Sequence, residues 1–250
     1  MVSEVPPPSI WLRPERAAVG RPAQHSRAEI TAAALRIADA EGLDAVSMRR
    51  VAAALGTGAA SLYRYVETRD ELLDLMTDAT AAEYVLPAPS GDWLADLVAV
   101  GEQARAVLRR HPWLAALSLT RPVIGPNSVA VIEHVLAVLA GHPATVTAKL
   151  EAFAMLNGLT ATSVLYEQAG GPALQDRNVA YLTHAVTSGD HPRLAALVAQ
   201  AQPSGQAQPS GQAQPSGQTS VGELPATADP GDRYPDLLSR VLLGLLGGHQ

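Results

Sequence analysis

The chain has no cysteine, which excludes disulfides and thiolate metal sites. It has no apolar run of about 18 residues, so no segment is expected to span a bilayer. The basic-then-apolar pattern of a secretory signal is missing too, and the protein is expected in the cytoplasm with no membrane partner. β-Branched runs and alternating strand patterns are scarce, whereas alanine and leucine are abundant, so the expected fold class is all-α. There is no Gly-x-Ser-x-Gly elbow, phosphate loop or dinucleotide glycine motif. The histidines (His25, His111, His134, His142, His184, His191, His249) form no metal-binding motif, and three of them precede proline, which marks helix boundaries. These absences predict a protein that is not an enzyme and holds neither metal nor cofactor.

One stretch, residues 26–76, carries most of the information. Ser26-Arg-Ala-Glu29 has the spacing of a capping box, in which serine and glutamate each satisfy one free helix-end N–H. Ile30, Ala33, Ala34, Ile37 and Ala38 then recur at helical spacing, and Gly42 ends the helix. Ser47 caps a second helix with Val51, Ala54 and Leu55 expected inward and Arg49 and Arg50 toward solvent or phosphate. Gly56 permits a sharp turn into a third helix, expected over residues 59–66 and anchored by Leu62 and Val66. Burying one such side chain stabilises by roughly 1.5–3 kcal/mol. That leaves Ser61, Tyr63, Arg64 and Tyr65 to point outward, a set suited to phosphates and base edges. Thr68-Arg-Asp-Glu71 is a second capping box; it opens a fourth helix, expected to reach about Tyr84. Arg69 sits at its start, where free N–H groups also favour an anion. Helix, tight glycine turn, helix is the unit that places a helix in the major groove of DNA.

At these residues, Ala-Leu-Gly56, Ser61-Leu-Tyr-Arg-Tyr-Val66 and Arg69-Asp-Glu-Leu-Leu73, the chain resembles the DNA-binding domain of the tetracycline-repressor (TetR) family of transcriptional regulators. The resemblance implies DNA contacts from Arg49, Ser61, Tyr63, Tyr65 and Arg69, to which outward direction adds Arg64. Family members often carry histidine where Tyr65 stands and lysine where Arg69 stands. Further on, Leu119-Thr-Arg-Pro122, Val164-Leu-Tyr-Glu-Gln168 and Arg233-Tyr-Pro-Asp-Leu-Leu238 look like the regulatory domain of the tetracycline-responsive branch. That branch uses a histidine three residues before the Thr-Arg-Pro threonine to hold magnesium with the drug. Here the position is Leu117, which cannot ligate a metal, so the resemblance supports the domain fold and argues against a tetracycline–magnesium ligand.

The expected organisation is an N-terminal arm (1–25), the helix-turn-helix domain (26–70), a helical regulatory domain (71–200), a linker (201–232) and a C-terminal dimerisation helix (233–250). The arm is rich in proline and carries Arg13, Arg16 and Arg21; it reads as a disordered leader or as an arm reaching the minor groove. In the regulatory domain Asp92 is expected to cap a helix to Arg110, His111-Pro112 to start another to about Leu119, and Asn127 to cap a third to about Ala140 with Val131, Val135, Val138 and Leu139 inward. Residues 201–218 are three copies of Ala-Gln-Pro-Ser-Gly-Gln, too polar and too rich in breakers to fold.

The helix expected over 145–168 is apolar nearly all round, which reads as burial in a subunit interface or in a monomer core. Phe153, Leu156 and Leu159 on it, with Leu238, Val241, Leu242 and Leu245 of the last helix, are expected to form a homodimer bundle. Candidate linings for a small-molecule effector are His111, Trp113, Thr120, His134, Asn157, Thr160 and Tyr166. Net charge is -6, yet residues 1–66 carry +2 and residues 67–250 carry -8, so the positive end coincides with the helix-turn-helix. The function expected is a ligand-responsive dimeric repressor that a small molecule releases from a double-stranded palindromic operator. The alternative is a helical protein-interaction module that does not use its head on DNA.

Overall fold

The computed structural model describes residues 9–14, 25–169, 172–201 and 230–247, and among them every regular element is helical. In chain order these are α1 (Arg27–Glu41), α2 (Met48–Ala54), α3 (Ala59–Leu62), α4 (Arg69–Ala81), α5 (Trp93–Arg110), α6 (Leu114–Thr120), α7 (Pro126–Val138), α8 (Val146–Ala169), α9 (Pro172–Thr187), α10 (Pro192–Ala201) and α11 (Pro230–Leu246). Compactness divides the chain into two units. One unit is Met1–Leu165 with Pro235–Gln250, and the other is Tyr166–Tyr234, in which α9 and α10 pack on each other. Residues 202–229, which include nearly all of the repeat segment, lie outside the described residues.

Local signals set the helix starts. Ser26 Oγ accepts from Glu29 N (3.1 Å) while Ser26 N donates to Glu29 Oε2 (2.8 Å), completing the first capping box. Ser47 Oγ accepts from Arg50 N (3.2 Å) and Thr68 Oγ1 from Glu71 N (3.1 Å). Glu71, however, takes the N–H of Glu67 rather than that of Thr68, so this second box is displaced by one residue. Gly42 and Gly56 have φ of 87° and 65°, the left-handed region where glycine escapes the Cβ penalty. Three expectations need correction. The inward face of α2 is Met48, Val51 and Ala52, while Ala54 is exposed, because a seven-residue helix starting at Met48 points 48, 51 and 52 the same way. α3 is one turn long; residues 63–66 form a hydrogen-bonded turn in which Tyr65 N and Val66 N both donate to Leu62 O. α4 ends at Ala81, before Tyr84.

Ile30 of α1, Leu62 of α3 and Leu72 and Met76 of α4 are fully buried, and the same core continues through Val107, Leu108, Leu114, Ala161 and Val164. The head therefore shares its apolar interior with the bundle. Asn127 does not cap α7. Its cap residue is Gly125, which has no side chain, so the free N–H groups there are satisfied from α4. Asp78 accepts from Asn127 N (3.2 Å), Asn127 Nδ2 (3.0 Å), Ser128 N (2.9 Å) and Ser128 Oγ (2.9 Å). Val131, Val135, Val138 and Leu139 are buried as expected.

The N-terminal segment also departs from expectation where it is described. Residues 9–14 contain a 3₁₀ turn, Ile10–Leu12, with Ile10 buried in the main core. Arg13 is engaged by Glu67 and Glu71, so neither a structureless leader nor a free minor-groove arginine fits these residues. Arg16 and Arg21 lie outside the described residues.

Candidate functional site

The surface formed by α2, α3 and the following turn carries the side chains expected to meet DNA. Arg49, Tyr63, Arg64 and Arg69 are exposed, Tyr63 by 49 % of its surface. Arg49 makes no ion pair among the described residues, leaving its charge available, whereas Arg50 beside it is bonded to Glu41. Ser61 is half-buried; its hydroxyl donates to Gly58 O (2.6 Å) and lies 2.8 Å from Thr57 Oγ1. Arg69 donates from Nε to Val46 O (3.3 Å) and from Nη2 to Leu43 O (3.2 Å), bracing the 3₁₀ turn after α1 while other guanidinium N–H groups stay free. Tyr65 corrects the sequence reading: only 5 % of it is exposed, and it belongs to the core cluster. It stands three residues beyond buried Leu62 in a helical turn and so falls on the same side.

A cavity of about 470 Å³ lies among α4, α5, α6, α7 and α8 in the first unit. Its walls are mostly apolar, with Val107, Leu108, Leu114, Ile124, Val131 and Phe153 among them. Of the residues expected to bind an effector, Asn157 and Thr160 line it; the others do not. The Asn157 amide donates to Phe153 O (3.0 Å), its own preceding turn, and its side chain is exposed rather than enclosed. Thr160 is fully buried and donates to Leu156 O (2.6 Å). His111 is buried between carboxylates, with Nδ1 2.7 Å from Asp39 Oδ1 and Nε2 2.7 Å from Glu83 Oε1. Trp113 donates from Nε1 to Asp39 Oδ1 (2.8 Å) and, with Thr120, lines a separate cleft beside Gly42. His134 is half-buried on α7 away from the cavity, and Tyr166, 74 % exposed, falls in the other unit.

Sequence reasoning missed Thr77, Tyr84, Ser118, Arg121 and Ser128 on the cavity wall. Thr77 matters most: its Oγ1 is buried and has no partner, which leaves hydrogen-bonding capacity for a guest. The hydroxyls of Thr80 and Ser118 are spent on helix carbonyls and that of Ser128 on Asp78. Arg121 is tied to α4, with Nε 3.1 Å and Nη2 2.8 Å from Asp74 Oδ1 and Nη2 3.2 Å from Asp70 O. Hydrogen bonding to Asp74, above all, raises its guanidinium pKa above an already high ordinary value. The signal for Thr77 was present in the sequence, since Asp74, Thr77, Asp78 and Ala81 share one helical face.

The residues expected at a dimer interface divide in two. Leu156, Leu238 and Leu242 are fully buried within the protomer and are unavailable to a partner. Leu245 is exposed, and Phe153, Leu159 and Val241 are half-buried. On α11 the stripe Leu238, Leu242, Leu246 faces the bundle and the stripe Leu237, Val241, Leu245 lies toward solvent, one residue round the helix. Leu150 and Met155 on α8 are exposed as well.

Residues 30–76 match the model of the bacterial regulatory proteins, tetR family, and residues 86–212 match the tetracyclin repressor-like C-terminal domain. The chain is 41% identical over 180 residues, 67% of each protein, to the HTH-type transcriptional repressor DrrR1 of Streptomyces coeruleorubidus. It is 42% identical over 139 residues to an HTH-type transcriptional regulator of Saccharopolyspora erythraea, 55% of this chain and 58% of that one. Its fold is similar to that of ActR from Streptomyces coelicolor solved in complex with actinorhodin, with a TM-score of 0.70 and 28% identity over 90% of this chain and 98% of that one. With a helix-turn-helix head and a hollow helical body matched separately to the two halves of one architecture, the chain belongs to the TetR family of transcriptional regulators.

Proposed function

We propose that the chain acts as a homodimer whose two heads grip a palindromic operator, and that a small molecule entering the cavity releases it. It is a ligand-responsive DNA-binding repressor. The observation that carries this reading is the position of α4: its first turn follows the recognition segment directly, and Thr77, Thr80 and Ala81 near its other end line the cavity. A guest that shifts α4 alters the separation of paired heads, which must match about one turn of DNA, 34–36 Å. By linkage the guest and DNA then weaken each other by the same factor. Two features support an organic effector: a cavity volume within the range of small-molecule sites, and the complex of ActR with actinorhodin. Arg49, Ser61, Tyr63, Arg64 and Arg69 are the proposed DNA contacts, the exposed apolar residues of α8 and α11 the dimer surface, and the cytoplasm the place of action.

The test is selection of bound duplexes from a random pool by the full chain, followed by affinity measurements on the enriched and a scrambled duplex at two salt concentrations. A palindromic consensus and binding that weakens steeply with salt are expected. Arg49→Ala should weaken both duplexes alike and lower the salt slope by about one, whereas Tyr63→Ala should cost about 1–3 kcal/mol of preference between them. Equal affinity for enriched and scrambled DNA would defeat the proposal.

A further inference from the structure

α4 is one physical connection between the cavity and the recognition segment, and residues 9–14 form another. At one end of this short segment, Arg13 Nη1 lies 2.6 Å from Glu67 Oε1 and Nη2 2.5 Å from Glu71 Oε1. Glu67 is the residue after Val66, where the recognition turn ends, and Glu71 lies in the first turn of α4. The Arg13 guanidinium pKa is raised above its ordinary value, by hydrogen bonding to Glu71 first and by the Glu71 and Glu67 carboxylates together. Arg27 adds a second tie: its Nη1 donates to Ile10 O (3.0 Å) and Arg13 O (2.9 Å), while its Nε donates to Tyr65 O (3.1 Å). One guanidinium thus holds the backbone of the N-terminal segment against the backbone of the recognition turn.

The other end reaches the cavity loop. Trp11 packs so closely on Gly125 that a Cβ there would come within 2.7 Å of Trp11 Cζ2 and 2.5 Å of Asp78 Oδ1. Gly125 follows Ile124, a cavity wall residue, and precedes the α7 start that Asp78 holds. Ile10, next to Trp11, is buried in the core and anchors the segment there. Electrostatics gives Arg13 a second effect. Glu67 and Glu71 lie beside a surface that would face phosphates, and unpaired they would repel DNA.

We propose that residues 9–14 are a strap that positions the recognition segment according to the state of the cavity loop. Trp11 bears on the loop at Gly125, and Arg13 holds the turn behind α3 through Glu67 and Glu71. Arg13 is a positioning residue and makes no phosphate contact of its own. The regulatory use of the strap rests on the repressor reading above; the link itself is tested without DNA or effector.

Hydrogen exchange on the full chain reads the link directly. Arg13→Gln should speed exchange of the amides of residues 63–68 by about tenfold, and Trp11→Leu should speed both residues 123–128 and residues 63–68, with α5 unchanged as the measure of an intact fold. Trp11→Leu acting on the loop alone, with residues 63–68 at the wild-type rate, overturns the strap. DNA binding supplies the second measurement. Arg13→Gln should weaken an enriched duplex by about tenfold while leaving the salt slope unchanged, since a positioning residue gives up no phosphate contact. A salt slope lower by about one would make Arg13 a DNA contact and overturn its positioning role. If no duplex is bound selectively by the wild type, the repressor reading falls, while the exchange experiment still decides whether the strap exists.

Discussion

His111 joins three parts of the chain that are far apart in sequence. Asp39 comes from α1 in the head, Glu83 from just past α4, and His111 itself from the break between α5 and α6. Asp39 also accepts from Trp113, and Glu83 is bonded to Arg110. The ring stands between the two carboxylates, one nitrogen against each. Removing the middle of such a cluster leaves Asp39 with Trp113 alone and Glu83 with Arg110 alone. His111→Ala should therefore destabilise the fold by about 2–3 kcal/mol in urea titration, below the 3–5 kcal/mol typical of fully buried pairs. The reduction follows from the exposure of Asp39 and Glu83, 33% and 26%, which lets water screen them. An unchanged midpoint would show that the cluster contributes no stability.

Among the elements, α4 runs from the recognition turn to the cavity wall. Its buried Leu72, Leu73 and Met76 fix it in the core, while Asp74 and Asp78 hold Arg121 and the start of α7 from the adjacent face. The loop between those two anchors contributes Pro122, Val123 and Ile124 to the cavity wall. A guest that moves this loop therefore pulls on α4 through an ion pair and a helix cap, which reorganise at lower cost than a packed core. Gly125 tests the arrangement. Gly125→Ala drives a methyl group into Asp78 and Trp11, so the α7 cap or the tryptophan must yield. The expected loss is about 2–4 kcal/mol, read as a fall in thermal midpoint of several degrees. Gly141→Ala, which meets nothing within 4 Å, is the matched control and should change little.

At the scale of the whole molecule, the proposed repressor requires two chains to pair. Leu237 and Leu245 on α11, with Leu150 and Met155 on α8, are apolar side chains that the protomer leaves exposed. Leu237→Glu with Leu245→Glu should yield single chains in the ultracentrifuge, because charge placed in the core of an interface is left unpaired. The protomer should still fold, since Leu238, Leu242 and Leu246 are untouched and remain in the bundle. Operator binding should fall by about 100-fold or more as the second head loses its local concentration. A dimer that survives both substitutions would place the interface elsewhere.

Much of the head was legible in the sequence. Ser26, Ser47 and Thr68 cap as their spacing indicated, and Gly42 and Gly56 turn the chain where expected. These signals involve atoms within about four residues of each other, where backbone geometry leaves few alternatives. The site was legible in part. Tyr63 is exposed and Tyr65 is not, because Tyr65 stands three residues past buried Leu62 and falls on its side of the turn. His111, Trp113 and Tyr166 were placed near a ligand on residue type alone, and chemistry of type does not specify direction.

The sequence by itself determined the helices, the glycine turn and the family, since each depends on local pattern. Only the tertiary structure decided that Asp78 caps a helix 49 residues away, that Arg13 holds Glu71 across 58 residues, and that Thr77 and Arg121 share a cavity wall. Those contacts depend on how helices cross and how far each is rotated about its axis, and shared burial in one core fixes both quantities.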